Sequence, residues 1–406
     1  MARRAAPPPA DQKLETQVTM SELLLNPSRR PELRYPAPNA APREVHRRLP
    51  GYTPTPLRPL PSVATRFGLG AVWLKDESSR LGLPAYKVLG AAWATYRALA
   101  ARLGTAPEPW QDLAGLRARV AGMPPLRLLT ATDGNHGRGV ARVARWLGWP
   151  ARVFLPRGSA PARLEGIRSE GAEVIEVPGT YDAAVAQAAG AATDPDTLLI
   201  QDHGWPGYEE VPTWVAEGYE TIFAEVDEAL AAAGERPPDL VLVQVGVGTL
   251  ASAVVRHFRR EGLAPLPRVV AVEPTGAACA LRSIAAGAPV LLEVGADASI
   301  MAGLNCGTPS SAAWPDLRDG VDAFVAVADA QAADAMRTLA GLGVIAGESG
   351  AAGLAGLAEL MAPRHATVRA SLGITERSRV LLLNTEGATD PASWERIVGR
   401  APPQPR

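Results

Sequence analysis

Short apolar runs alternate with alanine-rich helical stretches from Leu126 onward, and that alternation limits the possible fold more than anything else in the chain. Expected strands span 126–131, 151–155, 173–177 and 197–201, with helices over 137–147, 162–171 and 181–192 between them. Strands joined by helical crossovers make a parallel sheet. A long helix over about 209–233, ended by the breakers Gly234, Pro237 and Pro238, precedes a second set of strands at 240–245, 269–273, 323–327 and 380–384. The pattern predicts an α/β fold of two doubly wound units, with a ligand between them near the carboxyl ends of strands.

Composition narrows the partners. A formal net charge of -1 gives no basic surplus for a phosphate backbone, so nucleic-acid binding is not expected and small metabolites are. Cys279 and Cys306 belong to no CxxC pair or His-rich cluster, which implies neither a disulfide framework nor a metal site. The basic start lacks the apolar stretch of a secretory signal, and no uncharged apolar run reaches membrane-spanning length. A reducing cytoplasm is the expected location.

Three segments carry unusual residues. Trp73-Leu-Lys-Asp-Glu-Ser-Ser-Arg-Leu-Gly-Leu-Pro-Ala-Tyr-Lys87 runs from a short strand through a polar loop into an apolar helix over 86–103. Lys87 is set there among apolar neighbours, where desolvation lowers an amine's pKa and frees it to attack a carbonyl. A lone lysine at a helix start is ordinarily a solvated surface charge, and only its company raises Lys87 above that.

Thr130-Ala-Thr-Asp-Gly-Asn-His-Gly137 leaves a strand and opens a helix. Its N–H groups suit a carboxylate, the alternative being a tight turn with helix capping. Asn135 in that turn is also placed to reach the phenolic oxygen of a cofactor. Val243-Gln-Val-Gly-Val-Gly-Thr-Leu-Ala251 is a glycine loop whose backbone and Thr249 hydroxyl suit a phosphate. It also fits the dinucleotide pattern GxGxxA, and Glu273 ends the next strand where a ribose-binding acid would stand. The pairing with Lys87 and Asn135 favours pyridoxal 5'-phosphate, because hydride transfer needs no Schiff-base lysine.

In this order the segments resemble those of fold-type II pyridoxal-phosphate enzymes, the group of threonine and serine dehydratases and tryptophan synthase β. Lys75-Asp-Glu-Ser-Ser-Arg-Leu-Gly-Leu-Pro-Ala-Tyr-Lys-Val-Leu-Gly90 and Thr130-Ala-Thr-Asp-Gly-Asn-His-Gly-Arg-Gly139 are more closely similar to diaminopropionate ammonia-lyases. So are Gln201-Asp-His-Gly-Trp-Pro-Gly-Tyr-Glu-Glu-Val-Pro-Thr-Trp214, Ile300-Met-Ala-Gly-Leu-Asn-Cys-Gly-Thr-Pro309 and Thr385-Glu-Gly-Ala-Thr-Asp-Pro391. The likeness spans roughly residues 33 to 395.

The resemblance implies two doubly wound α/β domains with the cofactor in the cleft between them. A large cofactor-binding domain would take 33–90 and 213–396 and a small one 91–212, after a flexible Pro/Arg-rich arm over 1–32 and before a disordered tail over 397–406. It implies that Lys87 carries pyridoxal 5'-phosphate, that Gly246, Val247, Gly248 and Thr249 hold its phosphate, and that Asn135 meets its ring hydroxyl. Thr385 would face the pyridine nitrogen, with Asn384 as the alternative.

Where dehydratases usually read Ser-Ser-Gly-Asn, this chain has Thr132-Asp133-Gly134-Asn135. An acid beside a carboxylate site makes sense for a substrate with a second ammonium. By resemblance, Asp202 and Asp133 remove the Cα proton from the L- and D-isomer of 2,3-diaminopropionate, yielding pyruvate and two ammonia. Thr132, Gly134 and His136 are expected around the substrate, although Asp133 also reads as a turn cap and His136 as packing. His203, Pro84 and Tyr86 depart from the family pattern. A homodimer is the implied assembly. The competing expectations are a serine or threonine dehydratase on the same fold and a non-catalytic sensor of pyridoxal phosphate or amino acids.

Overall fold

The computed structural model describes residues 22–295 and 298–403. β1 (Glu22–Leu25), β2 (Leu57–Pro59) and β3 (Ala71–Asp76) come first in the chain. β4 (Arg127–Ala131), β5 (Ala151–Pro156), β6 (Glu173–Val177) and β7 (Thr197–Leu199) follow. β8 (Leu240–Gln244), β9 (Arg268–Pro274), β10 (Ala323–Val327) and β11 (Arg379–Asn384) complete the set. Among the described residues they form a seven-stranded sheet, ordered β1-β10-β9-β8-β11-β3-β2, and a four-stranded one, ordered β6-β5-β4-β7.

The small sheet is parallel throughout, and the large one is parallel except for its two edge strands. β8 is apolar on both faces and buried at every position, as a central parallel strand covered by helices must be. Each such Val or Leu contributes roughly 1.5–3 kcal/mol on burial. β2 ends on Pro59, which an edge tolerates because no ladder donor is needed there.

One apolar cluster joins the two sheets through the helices Val88–Leu103, Asn135–Leu147, Glu210–Ala232 and Thr249–Phe258. Glycines set how closely two of these helices approach: a Cβ on Gly218 would stand 2.8 Å from the Cα of Gly90. The boundaries expected at 90/91 and 212/213 both fall inside helices of this cluster, Val88–Leu103 and Glu210–Ala232.

The structure corrects three expectations. The arm over 1–32 is built into the sheet from Glu22, where β1 pairs antiparallel with β10; residues 1–21 lie outside the described residues. Within the expected tail, residues 397 and 398 finish the helix Pro391–Val398, and 404–406 are not described. The helix expected from 86 begins at Val88, which leaves Lys87 at its N-cap position.

β3, β8 and β11 run parallel, so their carboxyl ends leave the same edge of the large sheet. β4 and β7 do the same in the small sheet. The segments bearing Lys87, Gly246 and Thr385 therefore converge with those bearing Thr132 and Asp202.

Candidate active site

A buried charge network fixes the loop between β3 and Lys87. Lys75 Nζ donates to Glu225 Oε2 at 2.6 Å and to the Thr55 carbonyl at 2.7 Å. Arg80 donates to Glu77 through Nε at 2.8 Å and to Glu225 through Nη1 at 2.8 Å. Two cations and two anions balance, which is what makes their burial tolerable. The network ties β3 and the loop to the helix Glu210–Ala232, so the backbone that leads to Lys87 is held on two sides.

Lys87 Nζ lies 2.5 Å from Asp202 Oδ2. Burial opposes the ammonium, but Asp202, Tyr86, Tyr219 and Asp133 together outweigh it, Asp202 most of them, and the pKa of Lys87 stands well above its ordinary value. This corrects the expectation that apolar surroundings lower it: the sign is set by a carboxylate from the far side of the cleft.

Burial likewise opposes ionisation of Asp202, yet His136 and Lys87 hold its pKa well below the usual carboxylate range. Asp133 moves the other way: burial raises it, against Lys87 and Arg163. Two carboxyls whose environments push them apart are suited to different proton duties.

The turn after β4 is shaped by Thr132, whose Oγ1 accepts the N–H of Gly134 at 2.8 Å and of Gly137 at 3.0 Å. His136 donates from Nε2 to the Ile200 carbonyl at 2.8 Å, which leaves its other ring nitrogen, Nδ1, uncommitted. That nitrogen faces Asp202 at 3.8 Å and has no hydrogen-bond partner among the described residues. Asn135 donates from Nδ2 to Glu386, whose other oxygen accepts the Ser349 N–H at 3.1 Å. Glu386 is pushed up by burial and by Glu348.

Across the cleft, the glycine loop opens the helix Thr249–Phe258. Gly248 has φ +96°, and a Cβ there would stand 2.6 Å from Leu317 Cδ1. At Gly246 a Cβ would meet Cys306 Sγ and the Gly303 carbonyl at 3.1 Å. Thr249 Oγ1 donates to the Asp202 carbonyl at 2.6 Å and so ties this loop to the segment after β7. Its hydroxyl proton is thus committed there, leaving the backbone N–H groups as the donors for an anion.

Lys87, Thr132, Asp133, Asn135, His136, Asp202, Gly246, Val247, Gly248, Thr249 and Thr385 all line one cavity of about 700 Å³, counting the part open to solvent. Gly134 is buried behind it under the stem of Arg163. Thr385 faces the cavity, whereas Asn384 is fully buried and donates to Asp76 at 2.9 Å and to the Ile345 carbonyl at 3.0 Å. Of these two residues, only Thr385 lines the cavity.

Glu273, the acid that made the dinucleotide pattern plausible, points elsewhere. Its carboxylate accepts the N–H groups of Ala280 and Leu281 at 2.8 Å, inside the core. Cys279 and Cys306 are free, buried against Val247, and their thiols are pushed up by burial. Among the described residues no group of three or more His, Cys, Asp or Glu could hold a metal, and no helix is long and apolar enough to cross a membrane.

Sequence reasoning assigned no site role to several residues that line the cavity, among them Tyr181, Gly303, Ser349 and Glu386. Glu386 lies within a segment singled out from sequence, but its partners are far along the chain. Ser349 Oγ is buried in the cavity wall with no partner among the described residues. An amine at one end, a glycine cradle on a helix N-terminus at the other and an unpaired hydroxyl between them fit pyridoxal 5'-phosphate, a phosphorylated aromatic aldehyde.

Comparison with known proteins agrees. The family model described as pyridoxal-phosphate dependent enzyme matches residues 48–385. Diaminopropionate ammonia-lyase of Salmonella typhimurium is 39% identical over 369 residues, 87% of this chain and 90% of its own. That of Escherichia coli is 36% identical over 363 residues, 88% of this chain and 90% of its own. The crystal structure of Escherichia coli diaminopropionate ammonia-lyase in complex with D-serine superposes with a TM-score of 0.83 at 32% identity, covering 93% of this chain and 97% of that one. The chain belongs to the diaminopropionate ammonia-lyase family of pyridoxal-phosphate-dependent enzymes.

Proposed function

We propose that this enzyme eliminates ammonia from 2,3-diaminopropionate, giving pyruvate and two ammonia per molecule of substrate and water. Lys87 would hold the cofactor through its amine, Gly246 to Thr249 its phosphate, Asn135 its ring hydroxyl and Thr385 its pyridine nitrogen. When bound, pyridoxal 5'-phosphate supplies an electron sink that makes the substrate's Cα proton removable.

The observation that carries the proposal is the pair Asp133 and Asp202, which reach one cavity from the ends of two strands with oppositely shifted pKa values. Asp202, ionised beside Lys87, takes the Cα proton of the L-isomer; Asp133 takes that of the D-isomer. Lys87, bonded to Asp202, stands beside the acid that receives the Cα proton, while the β-ammonium departs with the C–N electron pair as neutral ammonia and needs no added proton. The turn Thr132 to Asn135, with His136 behind it, orients the substrate carboxylate. The enamine that leaves is hydrolysed by water, releasing the second ammonia.

The large body over 33–90 and 213–396 and the small one over 91–212 would act as the two walls of this cleft. We further infer a homodimer, as the resemblance implies, and a cytoplasmic location, as the sparse cysteines suggest; sedimentation of the purified enzyme and fractionation of cells would check them.

The test is an assay of the holoenzyme with L- and D-2,3-diaminopropionate, L-serine and L-threonine, following pyruvate and ammonia. Both diamino acids should yield two ammonia per pyruvate and be preferred over the hydroxy amino acids. Preference for serine or threonine would make it a dehydratase. A change in the cofactor's absorption with no keto acid from any of them would make it a sensor.

A further inference from the structure

A second, outer chamber adjoins the reacting cavity and shares Asp133 and Tyr181 with it. It spans about 1100 Å³ counted in the same way, the part open to solvent included, which leaves room for a whole small amino acid. Four carboxylates line it, and two of them are already engaged. Asp329 accepts the Ser299 hydroxyl at 2.5 Å and the Ile300 N–H at 3.2 Å. Asp390 accepts the Ser393 N–H at 3.1 Å.

Glu348 differs from both. It is 3% exposed and lines the chamber, yet it has no hydrogen bond or ion pair among the described residues. A carboxylate that has no protein donor and whose oxygens open on a chamber is free to meet a cationic ligand there. Its place in the first turn of the helix Glu348–Leu360 makes the charge tolerable before a ligand arrives.

Arg163 is the converse. Its stem packs on Gly134, with Cδ 3.1 Å from where a Cβ would stand, and its guanidinium has no ion-pair partner among the described residues. A free cation and a free anion in one chamber match a molecule that carries both signs. Gly303, in the wall of the inner cavity, leaves room beside the shared Asp133: a Cβ there would meet Ser349 Oγ at 3.1 Å and Asp133 Oδ2 at 3.5 Å.

We propose that Glu348 is a specificity-determining residue that takes the second ammonium of a diamino acid in the outer chamber, with Arg163 facing its carboxylate there before the turn Thr132 to Asn135 receives it in the reacting cavity; this rests on the substrate class proposed above. A hydroxy amino acid offers a neutral group at that place and gains nothing from the carboxylate. The discrimination therefore comes from a charge-assisted contact available to one substrate class alone.

The test compares wild type, Glu348→Gln and Glu348→Asp as holoenzymes. Steady-state kinetics with L- and D-2,3-diaminopropionate are set beside the dissociation constant of D-serine, read from the change in the cofactor's visible absorption. Glu348→Gln should raise KM for both diamino acids by roughly tenfold or more, with kcat within about twofold and D-serine binding unchanged. Glu348→Asp, which keeps the charge but withdraws it, should fall between, and it carries the test if the glutamine variant does not fold. Equal weakening of diaminopropionate and serine, a loss confined to kcat, or unchanged constants would overturn the inference. A wild type that leaves diaminopropionate untouched while still binding D-serine would refute the proposed substrate instead, and the inference with it.

Discussion

Replacing Gly248 by alanine perturbs the expected phosphate cradle at its tightest point. Its backbone sits at φ +96°, where an L-residue costs about 1–2 kcal/mol. The added methyl would stand 2.6 Å from Leu317 Cδ1 and 3.3 Å from Ala313 Cβ. Leu317 is fully buried, so it can move only by disturbing its neighbours, at about 1–3 kcal/mol for an overpacked core site. The two costs together come to about 2–5 kcal/mol. At ~2.1 cal/mol/K per residue the 406-residue chain has an unfolding entropy of about 0.85 kcal/mol/K, so Tm should fall by roughly 2–6 °C if the chain unfolds as one unit. The loop must shift as well, carrying its N–H groups away from the phosphate. Calorimetry with and without pyridoxal 5'-phosphate, together with cofactor titration followed by visible absorption, should show both the lower Tm and weaker retention. Gly246→Ala is the control: its nearest contacts are 3.1 Å away and no positive φ is involved, so its effect should be smaller. Wild-type Tm and affinity in Gly248→Ala, or a larger loss in Gly246→Ala, would refute the reasoning.

The two aspartates should separate by stereochemistry. Asp202→Asn should lose most activity toward L-2,3-diaminopropionate and retain it toward the D-isomer, and Asp133→Asn should do the reverse; equal losses on both isomers would dismiss the two-base assignment. Glu225→Ala leaves Lys75 and Arg80 buried without their shared anion, so urea unfolding should show a loss of about 3–5 kcal/mol, and a loss below about 1 kcal/mol would mean the network is not structural in the way described. Stability should also depend on pH through the Lys87–Asp202 pair. The pKa of Asp202 is lowered in the folded state, so its contribution is present above its ordinary value of 3.8 and is lost as pH falls through the lowered one. The pKa of Lys87 is raised, so its contribution is present below 10.5 and is lost as pH rises through the raised value. Tm measured across pH should therefore be less steep at both extremes in Asp202→Asn than in the wild type.

The strands most legible in the sequence are those whose environment is written in their own residues. The expected strands at 173–177 and 323–327 coincide with β6 and β10 residue for residue, and β8 and β11 differ from expectation by one residue at an end. β1 was not legible. Its four residues, Glu22 to Leu25, follow a stretch with no periodicity, and what makes them a strand is pairing with Ala323 to Ala326, some 300 positions along the chain. The ligand cleft was legible because strand ends in parallel sheets fix where loops converge, whatever the loops contain.

Charge states in the cleft followed a different logic. Local sequence shows that Lys87 has apolar neighbours, and burial does act on it in the expected direction. It does not show Asp202, 115 positions away, whose carboxylate leads the groups that reverse the outcome. The same holds for Asn135, whose amide meets Glu386 across 251 positions. Desolvation is a property of a segment and can be read from it, whereas the sign of a pKa shift in a cleft depends on which opposite charge the other wall delivers. Asp133 and Asp202 make the contrast plain: both are acids at strand ends, and one is raised while the other is lowered because Lys87 bonds directly to only one of them. A proton-transfer role for either acid is therefore a property of the assembled cleft, and substituting Lys87 should bring the two carboxyls' pKa values closer together.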